Sequence, residues 1–259
     1  MRWSSPLTNC LLAAIFFCSA GVWMPAFQKS LSPSPTPNPS AGASVSSPAR
    51  PQASPQETPG KSAPEFLVII DPSHGGEDKG ATYPNKLVEK DFTLAFAREL
   101  RKELDERGIS ARLLRETDIS VPMEKRAEIA NGYHNAVYIA IHAGVTGQGV
   151  RIYCSTLPAE VPRAGPFVPW SIAQSGALPR SRILAKAVVG ELQKKQLQVA
   201  RFNAPLRPLN NIITPAIAVE LTPKGLDLRS PESLKMQDAV ASAVAAGIAT
   251  SLGQMGVHP

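Results

Sequence analysis

Residues 65–259 predict an α/β fold, a single domain with a mostly parallel central sheet flanked by helices on both faces. Three observations carry this. Short β-branched apolar runs alternate with helical stretches, Gly and Pro mark the joins between them, and no internal repeat interrupts the alternation. The first run, Phe66–Asp71 (FLVIID), stops at Pro72 and Gly75-Gly76 and reads as a strand. Asp91–Arg107 reads as a helix, with Phe92, Phe96, Leu100 and Leu104 along one side and Gly108 as its stop. Ser110–Arg115 is a second strand. Ser120, Val121 and Pro122 supply an N-cap and first turn for a helix reaching Asn131. Ala136–Ile141 (AVYIAI) and Gly149–Cys154 are further strands, and Arg180–Gln196 is helical. Ala216–Leu221 is a buried strand, and Ser230-Pro231 opens a last helix running to about Leu252. Ser155–Pro179 breaks the alternation, with five prolines, two glycines and an exposed-looking Phe167/Trp170 pair. A loop of that length without regular structure is usually functional or disordered, and it is expected to be a wall or lid over a groove.

The 259 residues carry 25 prolines, about twice the average usage of roughly 5%, so part of the chain is predicted to be non-globular. Residues 1–27 open with Arg2 and run apolar from Cys10 to Ala20, the pattern of a secretory signal. Cys18 and Ala20 suit a cut before Gly21; apolar character continuing to Phe27 keeps an uncleaved anchor open. Residues 28–64 are Ser/Pro-rich with nine prolines and read as an extended spacer, because they bury too little to offset their ordering entropy. The chain is therefore expected to be exported to the periplasm or cell envelope, touching the membrane only through residues 1–27. Residues 65–259 hold 23 basic and 20 acidic residues, so the net charge of +6 for the whole chain is diffuse and predicts no nucleic-acid partner. Signal removal leaves Cys154 alone, in VRIYC, as a buried thiol with no disulfide.

Four histidines are present. His134 and His258 lie in a loop and beside the C-terminus and read as solvated. His74 follows the first strand in DPSHGG, His142 ends the third in YIAIHAG, and Glu220 ends another in PAIAVEL. Open α/β sheets build sites beyond the carboxyl ends of their strands, and three polar residues share that edge. Glu89 stands just before a helix, where the dipole favours a carboxylate. Two histidines and a glutamate are a standard catalytic zinc set, and a second glutamate leaves a general base. Taken singly, each residue reads equally as a hydrogen-bonded loop residue or a helix-start charge. The separations of 15, 53 and 78 residues match no compact ligand motif.

VIIDPSHGG, LVEKDFTLAFARELRKELDERG, LLRETDISVPMEKRAEIAN, VYIAIHAG and PAIAVEL occur in that order between Phe66 and Leu252. In this order and content the chain resembles the zinc-dependent N-acetylmuramoyl-L-alanine amidases of the type-3 family. The resemblance implies an α/β fold and one Zn2+ per chain held by His74, Glu89 and His142, with Glu220 as the catalytic carboxylate. It also implies hydrolysis of the amide between N-acetylmuramic acid and L-alanine, and hence peptidoglycan as the partner of a monomeric enzyme. It leaves open a requirement for an activator protein.

The sequence departs from the family pattern at three places. Ser73 stands for the usual glycine, Gly144 for the asparagine after the second His-Ala, and Thr222-Pro223 for Gly-Phe after the catalytic glutamate. Asp71 is a candidate acceptor for His74 or a strand-end turn residue, and Arg126 reads as structural, pairing with a carboxylate or carbonyl. Two rival readings remain: a non-catalytic wall-binding module on the same fold, and a zinc peptidase acting on the stem peptide.

Overall fold

A computed structural model describes residues 66–84, 86–157, 168–222 and 227–256. The expected signal, the spacer, Phe167 with the middle of the 155–179 stretch, Pro223 and His258 lie outside the described residues. Six strands form one sheet: β1 (Leu67–Pro72), β2 (Ala111–Leu113), β3 (Ala136–Ala143), β4 (Gly149–Ser155), β5 (Val199–Ala204) and β6 (Ala216–Thr222). Four helices accompany them: α1 (Glu89–Asp105), α2 (Met123–Asn131), α3 (Leu178–Lys194) and α4 (Pro231–Gln254). The strand order is β2-β1-β3-β6-β4-β5, with every pairing parallel except β4 against β6.

Alternation along each strand sorts the core into two layers. Val68, Ile70, Val137, Ile139, Ile152 and Val219 join the layer shared with α1, α3 and α4. Leu67, Ile69, Tyr138, Ala216 and Ala218 join a smaller layer capped by Ala127 and Ala130 of α2. His142 and Glu220 continue the second register and are cross-strand partners. They therefore stand side by side on the more open face.

Local details depart from the sequence expectation for identifiable reasons. α1 starts at Glu89 rather than Asp91, with the Glu89 N–H bonded to the Ala81 carbonyl at 2.8 Å. This places Glu89 in the first helical turn. Ser120 does not cap α2; Pro122 occupies that position with no side-chain cap, and Ser120 packs on the backbone of Gly76. Ser230 does cap α4, accepting from the Ser233 N–H at 3.1 Å. β5 was not predicted, because VARFNA is a short edge strand with four of its six residues exposed, and its alternating face offers only Ala200, Phe202 and Ala204. Within the stretch read as irregular, Trp170–Gly176 forms a 3-10 helix. Its buried Gln174 donates to the Ile212 and Thr214 carbonyls at 2.6 and 2.9 Å, next to the start of β6 and at the opposite end of that strand from Glu220.

Helices α3 and α4 pack backbone to backbone at Gly247, where an added Cβ would lie 2.5 Å from the Val188 Cα. That contact is against backbone, so the helices would have to separate. Overpacking of this kind costs about 1–3 kcal/mol. Gly247→Ala is expected to lower the denaturation midpoint in guanidinium by a matching amount, with the slope preserved.

Candidate metal and catalytic centre

The loop leaving β1 is held by two buried guanidinium groups. Arg115 donates through Nε to the Pro72 carbonyl at 2.9 Å and through Nη2 to those of Ser73 and Lys90 at 3.2 and 2.7 Å. Arg126 on α2 donates to the His74 carbonyl at 2.7 Å and the Pro72 carbonyl at 3.1 Å. It also forms an ion pair with the buried carboxylate of Asp71, whose other oxygen accepts from the Tyr138 hydroxyl. Asp71 therefore does not touch His74; it neutralises the arginine that holds the His74 backbone. That clamp is needed because His74 has φ 64°, a left-handed conformation that costs a non-glycine residue about 1–3 kcal/mol. Ser73 has no such conformation, so the missing family glycine carries no backbone penalty.

Three segments deliver the donor groups to one point. His74 comes from the β1 exit, Glu89 from the first turn of α1, and His142 from the end of β3; one ligand atom from each falls within 4.8 Å of the others. The Glu89 carboxylate is 6% exposed. Its Oε2 lies 3.2 Å from His74 Nε2 and accepts from the Ala81 N–H at 2.9 Å. Its Oε1 lies 3.1 Å from His142 Nδ1 and accepts from the Ala143 N–H at 3.0 Å. Burial opposes the Glu89 charge, but hydrogen bonds from His142, His74 and the two backbone N–H groups outweigh it and hold the carboxyl well below its usual range. Each imidazole is oriented from behind: Asp78 Oδ2 lies 2.9 Å from His74 Nδ1 and Ser73 Oγ 3.0 Å from His142 Nε2. Outer partners that fix ring orientation in this way are typical of metal-ligating histidines. Two imidazole nitrogens and a carboxylate, converging and backed in this manner, fit a tetrahedral metal with one position left open.

Glu220 is set beside this group by register. Its Cα partner on β3 is His142 and its partner on β4 is Arg151. Arg151 Nη1 forms an ion pair with Glu220 Oε1, and the Tyr153 hydroxyl donates to Oε2 at 2.9 Å. Gly144 leaves the space this carboxylate fills, since a Cβ there would sit 2.2 Å from Oε1 and 2.3 Å from Thr222 Oγ1. Tyr153, Gly144, Thr146 and Leu206 line a cleft of about 380 Å³ together with the His74, Glu89, His142 and Glu220 side chains. The four residues singled out by the sequence thus share one cleft. Asp78, Arg115, Arg151 and Tyr153 were not singled out. Only Asp78, four residues from His74 in a glycine-bounded loop, carried a local signal.

The family described as N-acetylmuramoyl-L-alanine amidase matches residues 68–250, which takes in every residue of this centre. The chain belongs to that family. Within it, the chain is 41% identical over 83 residues to the amidase AmiA of Escherichia coli K12, a match covering 32% of this chain and 29% of that protein's length. The amidase AmiC2 of Nostoc punctiforme aligns with a TM-score of 0.57 at 26% identity, over 74% of this chain and 99% of that chain. The CwlD amidase of Clostridioides difficile, in a structure with the GerS lipoprotein, shares the fold with a TM-score of 0.54 at 22% identity, over 73% of this chain and 99% of that chain.

This centre makes two predictions. Removing one partner of a buried ion pair costs about 3–5 kcal/mol. Arg126→Met is therefore expected to destabilise the fold by that order and to weaken metal retention against a chelator, because His74 loses its backbone clamp. Denaturation curves and residual bound metal read the two effects separately. In the metal-free protein the hydrogen bond to Glu89 raises the His74 imidazole above its ordinary 6.5, against opposing burial, with the charges of Glu89 and Asp78 adding to the rise. A raised folded value gives stability that is fully present below 6.5 and lost as pH climbs through that folded value. Metal binding requires the neutral imidazole. Paired thermal melts should therefore show the metal-free protein losing stability above pH 6.5, while the increment from added Zn2+ grows over the same range.

Proposed function

We propose that the chain is a peptidoglycan hydrolase that cleaves the amide between N-acetylmuramic acid and the L-alanine of the stem peptide. The observation that carries this is the register of β3 and β6, which sets Glu220 beside His142 at the rim of the His74–Glu89–His142 group. A zinc ion bound by those three side chains supplies Lewis-acid polarisation of the scissile carbonyl and makes a nearby water more acidic.

Glu220 takes the proton from the attacking water at a carboxylate oxygen and delivers it to the departing alanine amine. Arg151 and Tyr153 hold that carboxylate at the cleft mouth and keep it from rotating onto the metal ligands. Glu89, with backbone N–H donors on both oxygens, stays ionised and is not available as the base. The substrate lies outside the cytoplasm, in keeping with the apolar stretch of residues 1–27 and the spacer of residues 28–64. We place the enzyme in the periplasm or cell envelope. A partner protein that controls access to the centre is consistent with this reading, and CwlD with its lipoprotein is a case of such a fold in a complex.

Mass spectrometry of soluble products released from peptidoglycan tests the reaction. Intact stem peptides with an L-alanine amino terminus are expected from the zinc-loaded protein. Shortened stems would point to a peptidase and an absence of product to a binding module. Glu220→Gln is expected to lower turnover by about 10²–10⁴-fold with metal content unchanged, whereas His74→Ala loses the metal. Full activity in Glu220→Gln would defeat the assignment of the base.

A further inference from the structure

We propose that Tyr153 and Phe202 form a glycan subsite, so that the polysaccharide lies across β4 and β5 and the stem peptide leaves on the α2 side. The inference rests on the amidase reading and gives the substrate a direction. Tyr153 and Phe202 are cross-strand partners on β4 and β5. Their rings stack with centroids 5.5 Å apart and an interplanar angle of 27°. The strip begins at the reacting centre, since the Tyr153 hydroxyl is bonded to Glu220 and its ring lines the cleft. It ends in the open, with Phe202 44% exposed. Ala200 and Ala204 flank Phe202 on the same face of the strand, so the ring stands above its neighbours. A single exposed apolar residue needs no explanation. A stacked pair continuous with the catalytic cleft does, because a flat aromatic surface suits the apolar C–H face of a pyranose ring.

The other side of the metal ligands has different chemistry. A second cleft of about 270 Å³ also includes His74 and His142, and it runs over Ser120, Pro122, Met123 and Arg207. Among the described residues its lining contains no Phe, Tyr or Trp. The Arg207 side chain is 61% exposed and, among the described residues, has Glu124 as its one ion-pair partner, at 3.5 Å. An exposed guanidinium suits the free carboxylates of an acidic peptide. The two clefts share the histidines and extend differently from them, one over Glu220 of β6 and Tyr153 of β4, the other over the β1 exit and the start of α2. A sugar–peptide amide centred there must send its sugar one way and its peptide the other.

The test compares the full chain with Phe202→Ala and Phe202→Trp, using peptide-free N-acetylglucosamine/N-acetylmuramic acid tetrasaccharide as the binding probe. Muramoyl-peptides carrying one or four sugars serve as substrates. Phe202→Ala is expected to weaken tetrasaccharide binding about tenfold and to lower kcat/KM for the four-sugar substrate relative to the one-sugar substrate by a similar factor. Phe202→Trp restores both. In parallel, Arg207→Gln should raise KM for stem peptides with free carboxylates more than for their amidated counterparts. Equal tetrasaccharide affinity in the unmodified chain and Phe202→Ala overturns the subsite, whether or not the unmodified chain releases peptide. Failure of the unmodified chain to release intact stem peptide, with the binding difference present, overturns the amidase reading and leaves a glycan-binding surface.

Discussion

A carboxylate that is 6% exposed is the constraint around which this centre is arranged. Left unpaired, a buried charge of this kind would neutralise itself or destabilise the fold. Glu89 avoids both outcomes through two imidazoles and two backbone N–H groups, and each donor fixes a different piece of chain. The Ala81 N–H ties down the loop before α1, the Ala143 N–H sets the end of β3, and the imidazole of His74 requires the β1 exit to turn left-handed. Arg115 and Arg126, which bond to the carbonyls of that loop from β2's exit and from α2, meet this last requirement. Both guanidinium groups lie at the buried ends of their side chains and bond mainly to main-chain carbonyls, so a bulky apolar substitute could fill their volume but not their role.

The reversal of β4 does comparable work for the second carboxylate. β4 follows β3 in sequence, yet it pairs antiparallel with β6. That direction aligns Arg151 with Glu220 and turns Tyr153 toward the same face. It also brings in β5 as a parallel neighbour on the outer side, extending the open face beyond Glu220 and His142. Had β4 run parallel to β6, its polar alternation would meet Glu220 in another register. The Tyr153–Phe202 pair would then not end at the Glu220 carboxylate.

The sheet-forming runs, the four helices and the strand-end placement of His142 and Glu220 were legible in sequence because each depends on local periodicity and on one general rule about strand ends. His74 shared that strand-end signal and Glu89 stood at a helix start, but giving the four their separate roles took the resemblance, since their separations obey no helical or hairpin spacing. Arg151 and Tyr153 were illegible for a related reason. Their contact with Glu220 spans 69 and 67 residues and exists only because of an antiparallel register that no local pattern encodes. β5 escaped because it is a short, mostly exposed edge strand whose one apolar face is two alanines around Phe202, a weak pattern to read. Ser120 was misread because a serine before Pro122 looks like a cap, while the turn there is set by packing on Gly76.

Two of the departures from the family pattern meet at one spot. Gly144 and Thr222 both border Glu220, and a side chain at 144 would strike Glu220 Oε1 and Thr222 Oγ1 at once. A family-type asparagine at 144 is therefore incompatible with the carboxylate position that Arg151 holds here. The loss of that asparagine is then not the loss of one polar contact in an otherwise fixed site. It is the condition for Glu220 to lean toward β4, where guanidinium and phenol replace the contacts an amide would have made. Thr222 Oγ1 is buried beside that spot and has no hydrogen-bond partner among the described residues. A buried hydroxyl left in that state is costly, so the pocket wall next to Glu220 retains one unused hydrogen-bonding position.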